Sequence, residues 1–151
     1  MNKAFSLARL LLRFSLGLGF VFPVLDRLGV LGAPGSRNVS WGNWHNFIAY
    51  TRRMAPYASE RLGNVMGGLV TIGEAAFGVM LIAGVWVRIA AYGSFLLTLG
   101  FALSMLFFFG YRAPFDYSVF VVSFSSLLLG LICENERSAA AQSLDTNTFK
   151  P

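Results

Sequence analysis

One carboxylate, Glu74, lies near the middle of a long apolar run, residues 65–86, and its position demands a chemical reason. On insertion scales a carboxylate at the centre of a membrane helix costs about 2.5–3.5 kcal/mol, so it must face protein or a wet cavity. There it is protonated, paired or hydrogen-bonded, because an isolated charge in low dielectric is far more costly than a shifted proton affinity. Gly67, Thr71 and Gly78 share its helical face, forming a stripe of small residues suited to close helix packing. The expected partner is Arg13, inside the first apolar run (5–25), with Arg9 and Gly17 on its own face. An antiparallel first and second span brings Arg13 to a depth similar to that of Glu74. Arg88 does not reach, since its offset along the same helix is about 21 Å at 1.5 Å per residue. Such a pair has two uses: a centre that handles a proton or ligand, or a fixed ion pair that sets helix register without adding net stability.

Asp116 and Tyr117 open the fourth apolar run beside Arg112 and Pro114. The plain expectation for Asp116 is an N-terminal cap, accepting backbone N–H groups and favoured by the helix dipole. A protonated carboxyl group and a phenol at a membrane mouth are also groups that hold the carbonyl oxygens of a quinone. His45 is the only histidine, so a haem held by two histidines is excluded and a structural metal site lacks ligands. The single cysteine, Cys133, excludes an internal disulfide, a CxxC pair and a cysteine-based metal site. No GxGxxG, P-loop, GxSxG or HExxH pattern is present.

The elements that must position these residues follow from composition. The chain has 151 residues, 56% of them hydrophobic and 13% charged, with a mean hydropathy of +0.62. A soluble domain of this size is about a quarter charged and buries about two thirds of its surface, so the bilayer is the natural solvent and a large soluble catalytic domain is excluded. Four apolar runs, residues 5–25, 65–86, 89–109 and 117–133, are each long enough to read as a span, the last near the lower limit. Arg9 and Arg13 interrupt the first run and no A-x-A pattern follows, so it is expected to be a retained helix, kinked at Pro23. Val87-Arg88 alone separates the second and third runs, which predicts a tight antiparallel hairpin. In the long first loop Trp44, Phe47, Ile48, Thr51 and Met54 fall on one helical face, with His45, Asn46, Arg52 and Arg53 toward the other. That pattern predicts a short helix lying at the headgroup level and ending at Pro56.

The expected fold is therefore all-α: a polytopic membrane four-helix bundle over residues 1–133, with a short interfacial helix in the long first loop. Residues 134–151 turn polar and small and are expected to form a disordered tail. Four spans put both termini on one side. Lys and Arg divide six against six between the two sides, so the positive-inside rule does not orient the chain. The net charge of +5 comes mostly from residues flanking apolar runs, which fits the lipid bilayer as partner and not nucleic acid.

These residues resemble the DoxX/DoxD-like family of small membrane proteins. The resemblance rests on Leu12-Arg-Phe-Ser-Leu-Gly17 followed by Asp26-Arg-Leu28, on Gly42-Asn-Trp-His-Asn-Phe47 with Tyr50-Thr51, on Gly73-Glu74, on Gly84-Val-Trp-Val-Arg88 and on Asp116-Tyr-Ser-Val-Phe120. Together they touch all four spans and the long loop. The resemblance implies a four-helix bundle in the cell (inner) membrane. It also implies kinship with the membrane subunit of a thiosulfate:quinone oxidoreductase, and so a quinone ligand and a redox partner subunit. Where that family tends to carry Lys after its first span, this chain has Arg27, which keeps the charge and changes the geometry. On this reading Arg13 and Glu74 form the polar centre, and Trp44, Asp116 and Tyr117 lie near its mouth. Arg88 or Arg112 would meet an anionic substrate. Two other readings stay open: a scaffold or lipid-binding protein locked by the Arg13–Glu74 pair, and a small transporter driven by protonation of Glu74. Glycine-rich faces also allow a homo-oligomer.

Overall fold

The computed structural model describes residues 2–148, without the side chains of 140 and 143–148. The described residues contain six helices and no strand: α1 (Lys3–Arg27), α2 (Trp44–Met54), α3 (Glu60–Ala83), α4 (Val87–Phe108), α5 (Ala113–Asp116) and α6 (Val119–Thr148). Four of them, with α6 counted over Val119–Ala139, are long and apolar enough to cross a membrane. The expected all-α membrane bundle with a short helix in the first loop is thus the observed architecture.

Local sequence starts and stops these helices where the chain needs to turn. Asn43 caps α2, its Oδ1 accepting the Asn46 N–H at 2.8 Å, and Ser59 caps α3 through the Leu62 N–H at 3.3 Å. Gly84, at φ 75°, ends α3 in the left-handed conformation. The Gly84 and Val85 N–H groups both return to the Met80 carbonyl, so three residues suffice to reverse the chain into α4.

Helix α1 runs antiparallel to α3, and two glycines set the distance between them. A Cβ on Gly17 would stand 3.0 Å from the Gly78 carbonyl oxygen and 2.7 Å from Ile82 Cγ1; one on Gly78 would meet Gly17 O at 3.1 Å. The small-residue stripe therefore divides its work. Gly78 receives α1, while Gly67 receives the short helix α2, whose Ile48 Cδ1 lies 2.5 Å from where a Cβ would be. Helices α4 and α6 close the other side around Ser94, Ser123 and Ser126, all fully buried. The Ser123 hydroxyl donates to Phe95 O and that of Ser126 to Val122 O, which lets polar side chains sit in the packed interior.

The large apolar side chains that stay exposed, among them Leu69, Ile72, Val79, Leu96 and Val121, have lipid as their natural surroundings. Exposed Tyr57, Tyr111, Phe115 and Tyr117 gather at the end carrying α2 and α5, and exposed Trp86 marks the opposite end, as interfacial aromatics do. The first will be called the loop end and the second the terminal end.

The fourth span is longer than the apolar run suggested. Helix α6 continues through 134–148, so most of the expected disordered tail is helical; residues 149–151 lie outside the described residues. Glu134, Glu136, Arg137 and the alanines from 139 are good helix formers with no Gly or Pro among them. Tertiary contacts hold the start of this extension: the Tyr92 hydroxyl donates to Glu134, and Arg9 pairs with Glu136.

Candidate functional site: a cavity floored by a buried ion pair

At the loop end the helices enclose a cavity of about 730 Å³, within the range of small-molecule sites. It is built from the last turn of α1 upward. Asp26 and Arg27, adjacent in sequence, are both buried and turn to opposite tasks.

The Asp26 carboxylate accepts three backbone N–H groups, from Ser40 at 2.9 Å, Trp41 at 3.2 Å and Gly42 at 3.0 Å. It thereby draws the long loop down over the helix end and fixes Trp41. Gly42 is required in that loop: its φ is 67°, and a Cβ would stand 2.5 Å from Pro34 N.

Arg27, 1% exposed, turns inward. Its Nε donates to Pro23 O at 3.0 Å, its Nη1 to Thr71 Oγ1 at 3.0 Å and its Nη2 to Glu74 Oε2. The guanidinium lies 4.0 Å from the Phe47 ring centroid and 5.4 Å from that of Trp41. A planar fork lying against an aromatic pair while its three nitrogens donate to three different acceptors is an arrangement that Arg makes and Lys does not. The second oxygen of Glu74 has no hydrogen bond among the described residues, and Glu74 lines the cavity.

Aromatic rings form the walls. Trp41 contacts Phe47 and Tyr50 at centroid distances of 5.4 and 5.7 Å, and Tyr50 meets Phe109 at 5.5 Å. Val70, Phe101 and Met105 add apolar surface, and Tyr117 and Arg53 stand at the mouth. Burial pushes the Tyr50 phenol above its ordinary range; nearby Tyr117 adds to the rise and Arg53 opposes it. Pro23, which also lines the cavity, has no N–H to give the Gly19 carbonyl one turn back, so that carbonyl, on another lining residue, lacks its helical donor. The arrangement offers a largely apolar cavity with a few polar groups at its floor and mouth, suited to an amphipathic ligand with carbonyl or hydroxyl oxygens. No group of three or more metal-ligating side chains occurs among the described residues.

Glu74 is paired as expected, but with Arg27 and not with Arg13. The glycine contact between α1 and α3 fixes a register in which Arg13 lies against Gly84, a Cβ there standing 2.6 Å from its Nη1. About 15 Å of helix separates Glu74 from Gly84. Trp44 also lies outside the cavity: its indole donates to Asn64 at 3.0 Å and its ring packs on Phe47, leaving the wall to Trp41.

Asp116 does not cap the last span. It ends α5, is mostly exposed and faces Arg112 at 3.9 Å, while Ser118, at φ 54°, stands between α5 and α6. Of the residues expected at the mouth, Tyr117 alone lines the cavity. Arg112 is an exposed loop-end residue and Arg88 lies in the first turn of α4 at the terminal end, so neither joins this site. Sequence reasoning missed Asp26, Arg27, Trp41 and Tyr50. An Asp-Arg pair closing an apolar run, facing an intramembrane carboxylate in the next span, was the signal available for the first two.

No family model matches the chain, and neither a curated protein nor a solved structure matches it.

Proposed function

We propose that this protein is a membrane-embedded subunit of a quinone-linked oxidoreductase, related to the DoxX/DoxD-like proteins, and that the loop-end cavity is its quinone site. The observation that carries this reading is the cavity itself: about 730 Å³, walled by Trp41, Phe47 and Tyr50 and floored by Arg27 and Glu74. A quinone ring would lie against this aromatic cluster, with its isoprenoid tail in lipid and its oxygens taking hydrogen bonds from Tyr117 or Arg53 at the mouth. Glu74 stands where a quinol proton would be received or given. The chain offers no recognisable electron carrier of its own, so a partner subunit supplies the electrons and this protein binds the quinone. The location that goes with this role is the cell membrane.

A second reading has its own observation. Arg27 has a partner at each of its three nitrogens, which is how a purely structural lock would look. One experiment separates the two. The protein is purified gently from its native membrane, and co-purifying proteins and isoprenoid quinones are identified for wild type, Glu74→Gln and Tyr117→Phe. Quinone retained by wild type and depleted in both variants supports the site. Quinone absent from wild type, with Glu74→Gln only less stable, leaves the lock.

A further inference from the structure

The terminal end carries a second, smaller cavity, about 320 Å³, which the quinone reading does not use. Arg9, Arg13, Gly84, Leu10, Val87 and Cys133 are among its lining residues. The charges around it do not cancel. Arg9 is paired with Glu136. Arg13 has neither an ion pair nor a hydrogen bond among the described residues, and its Nε is shut off from solvent without a partner. The Glu136 Oε1 is likewise buried and unpartnered, its other oxygen being held by Arg9.

Snorkelling to water does not relieve Arg13, because the unsatisfied nitrogen is the one water does not reach. The C-terminal dipole of α3 near Gly84 offsets about half a charge at most. The two Nη atoms are not shut off in this way, and an oxyanion that bridged them from the cavity would answer the charge with two hydrogen bonds. Two guanidinium groups and one carboxylate leave a single positive charge. Glu136, close by, opposes a dianion. The anion that fits is therefore a monoanion with two oxygens to offer, such as a phosphodiester.

We propose that this cavity binds the phosphodiester headgroup of an acidic phospholipid. The cavity lies beside the α3–α4 turn, whose Trp86 is 72% exposed, and that is the depth at which headgroups sit. Leu10 and Val87 give it an apolar lip on which the first carbons of the acyl chains can lie.

The test titrates phosphatidylglycerol into detergent-purified protein and follows both thermal stability and retained lipid by native mass spectrometry. Phosphatidylcholine and inorganic phosphate are the comparison ligands. Phosphatidylglycerol is expected to stabilise wild type, and Arg13→Gln to weaken that effect about tenfold through loss of a charge-assisted, two-pronged contact. The readout is the lipid-dependent increment, so a lower starting stability of the variant does not obscure it. Arg13→Lys, which keeps the charge without the fork, is expected to fall between the two and serves if Arg13→Gln does not fold. Inorganic phosphate acting as well as phosphatidylglycerol would overturn the lipid assignment and leave a soluble oxyanion as ligand. Phosphatidylglycerol acting equally on wild type and Arg13→Gln, or phosphatidylcholine acting equally well, would overturn the site.

Discussion

Replacing the two halves of the Arg27–Glu74 pair, singly and together, tests the physical account of the site most directly. The residues are 1% and 5% exposed, so each is left in a largely desolvated setting when its partner is removed. Glu74→Leu leaves a guanidinium buried among Thr71, Phe47 and Trp41, with the weaker attraction of Asp26 as its remaining counter-charge. Arg27→Met leaves a carboxylate with no donor. Breaking a buried pair on one side costs about 3–5 kcal/mol, whereas replacing both members with apolar residues of similar volume is often neutral or stabilising. The double variant should therefore be more stable than either single one. It still forfeits the Arg27 contacts with Pro23 O and Thr71, at about 1 kcal/mol each, so full recovery is not expected. The assay is equilibrium unfolding of purified protein in mixed micelles, read by tryptophan fluorescence, with Arg13→Met as control. Arg13→Met should combine additively with Glu74→Leu, within about 0.5 kcal/mol, because the two side chains are well separated. Additive losses for Arg27→Met with Glu74→Leu, or strong coupling between Arg13 and Glu74, would refute the assignment.

Three further outcomes follow from the same structure. Asp26→Asn removes charge and acceptor capacity from a carboxylate that holds three backbone N–H groups. It should cost about 1–3 kcal/mol and raise amide hydrogen exchange across residues 38–43 while leaving α4 and α6 protected. Gly17→Ala forces a methyl against the Gly78 carbonyl and should destabilise by about 1–3 kcal/mol, seen as a lower thermal midpoint, with Gly19→Ala as a tolerated control because open space surrounds that site. Burial raises the Tyr50 phenol above its ordinary value, so the unfolded chain ionises first as pH climbs; the contribution of Tyr50 to stability is constant below about pH 10 and falls above it. Thermal midpoints between about pH 9 and 11 should fall less steeply for Tyr50→Phe than for wild type.

Much of the architecture was legible because membrane helices are set by local rules. A run of apolar residues about 20 long must satisfy its own backbone hydrogen bonds in lipid, and so becomes a helix whatever its neighbours do. A tight hairpin between the second and third spans and a short helix from Trp44 were legible from run lengths and from a one-sided apolar pattern, but the turn lies at Gly84–Trp86 and not at Val87-Arg88, because Gly84 takes the positive φ that ends α3 and Val87-Arg88 already belong to α4. Helix α6 beyond Cys133 was not legible from hydropathy. Polar helix formers read as tail until Tyr92 and Arg9 are seen to hold Glu134 and Glu136.

The sequence by itself determined that Glu74 needs a partner, because a carboxylate at that depth is too costly alone. Which residue that is, only the tertiary structure decided. Arg13 and Arg27 both belong to the first span, and the choice between them depends on how far α1 slides along α3. That offset is set where Gly17 and Gly78 let two backbones touch, a contact between residues that carry no side chain to betray it. The cavity arises in the same way. Its walls come from a loop pinned by Asp26, a short helix laid on Gly67 and two spans remote in sequence. No local pattern encodes their meeting, because the free energy that assembles them is gained only when all are in place.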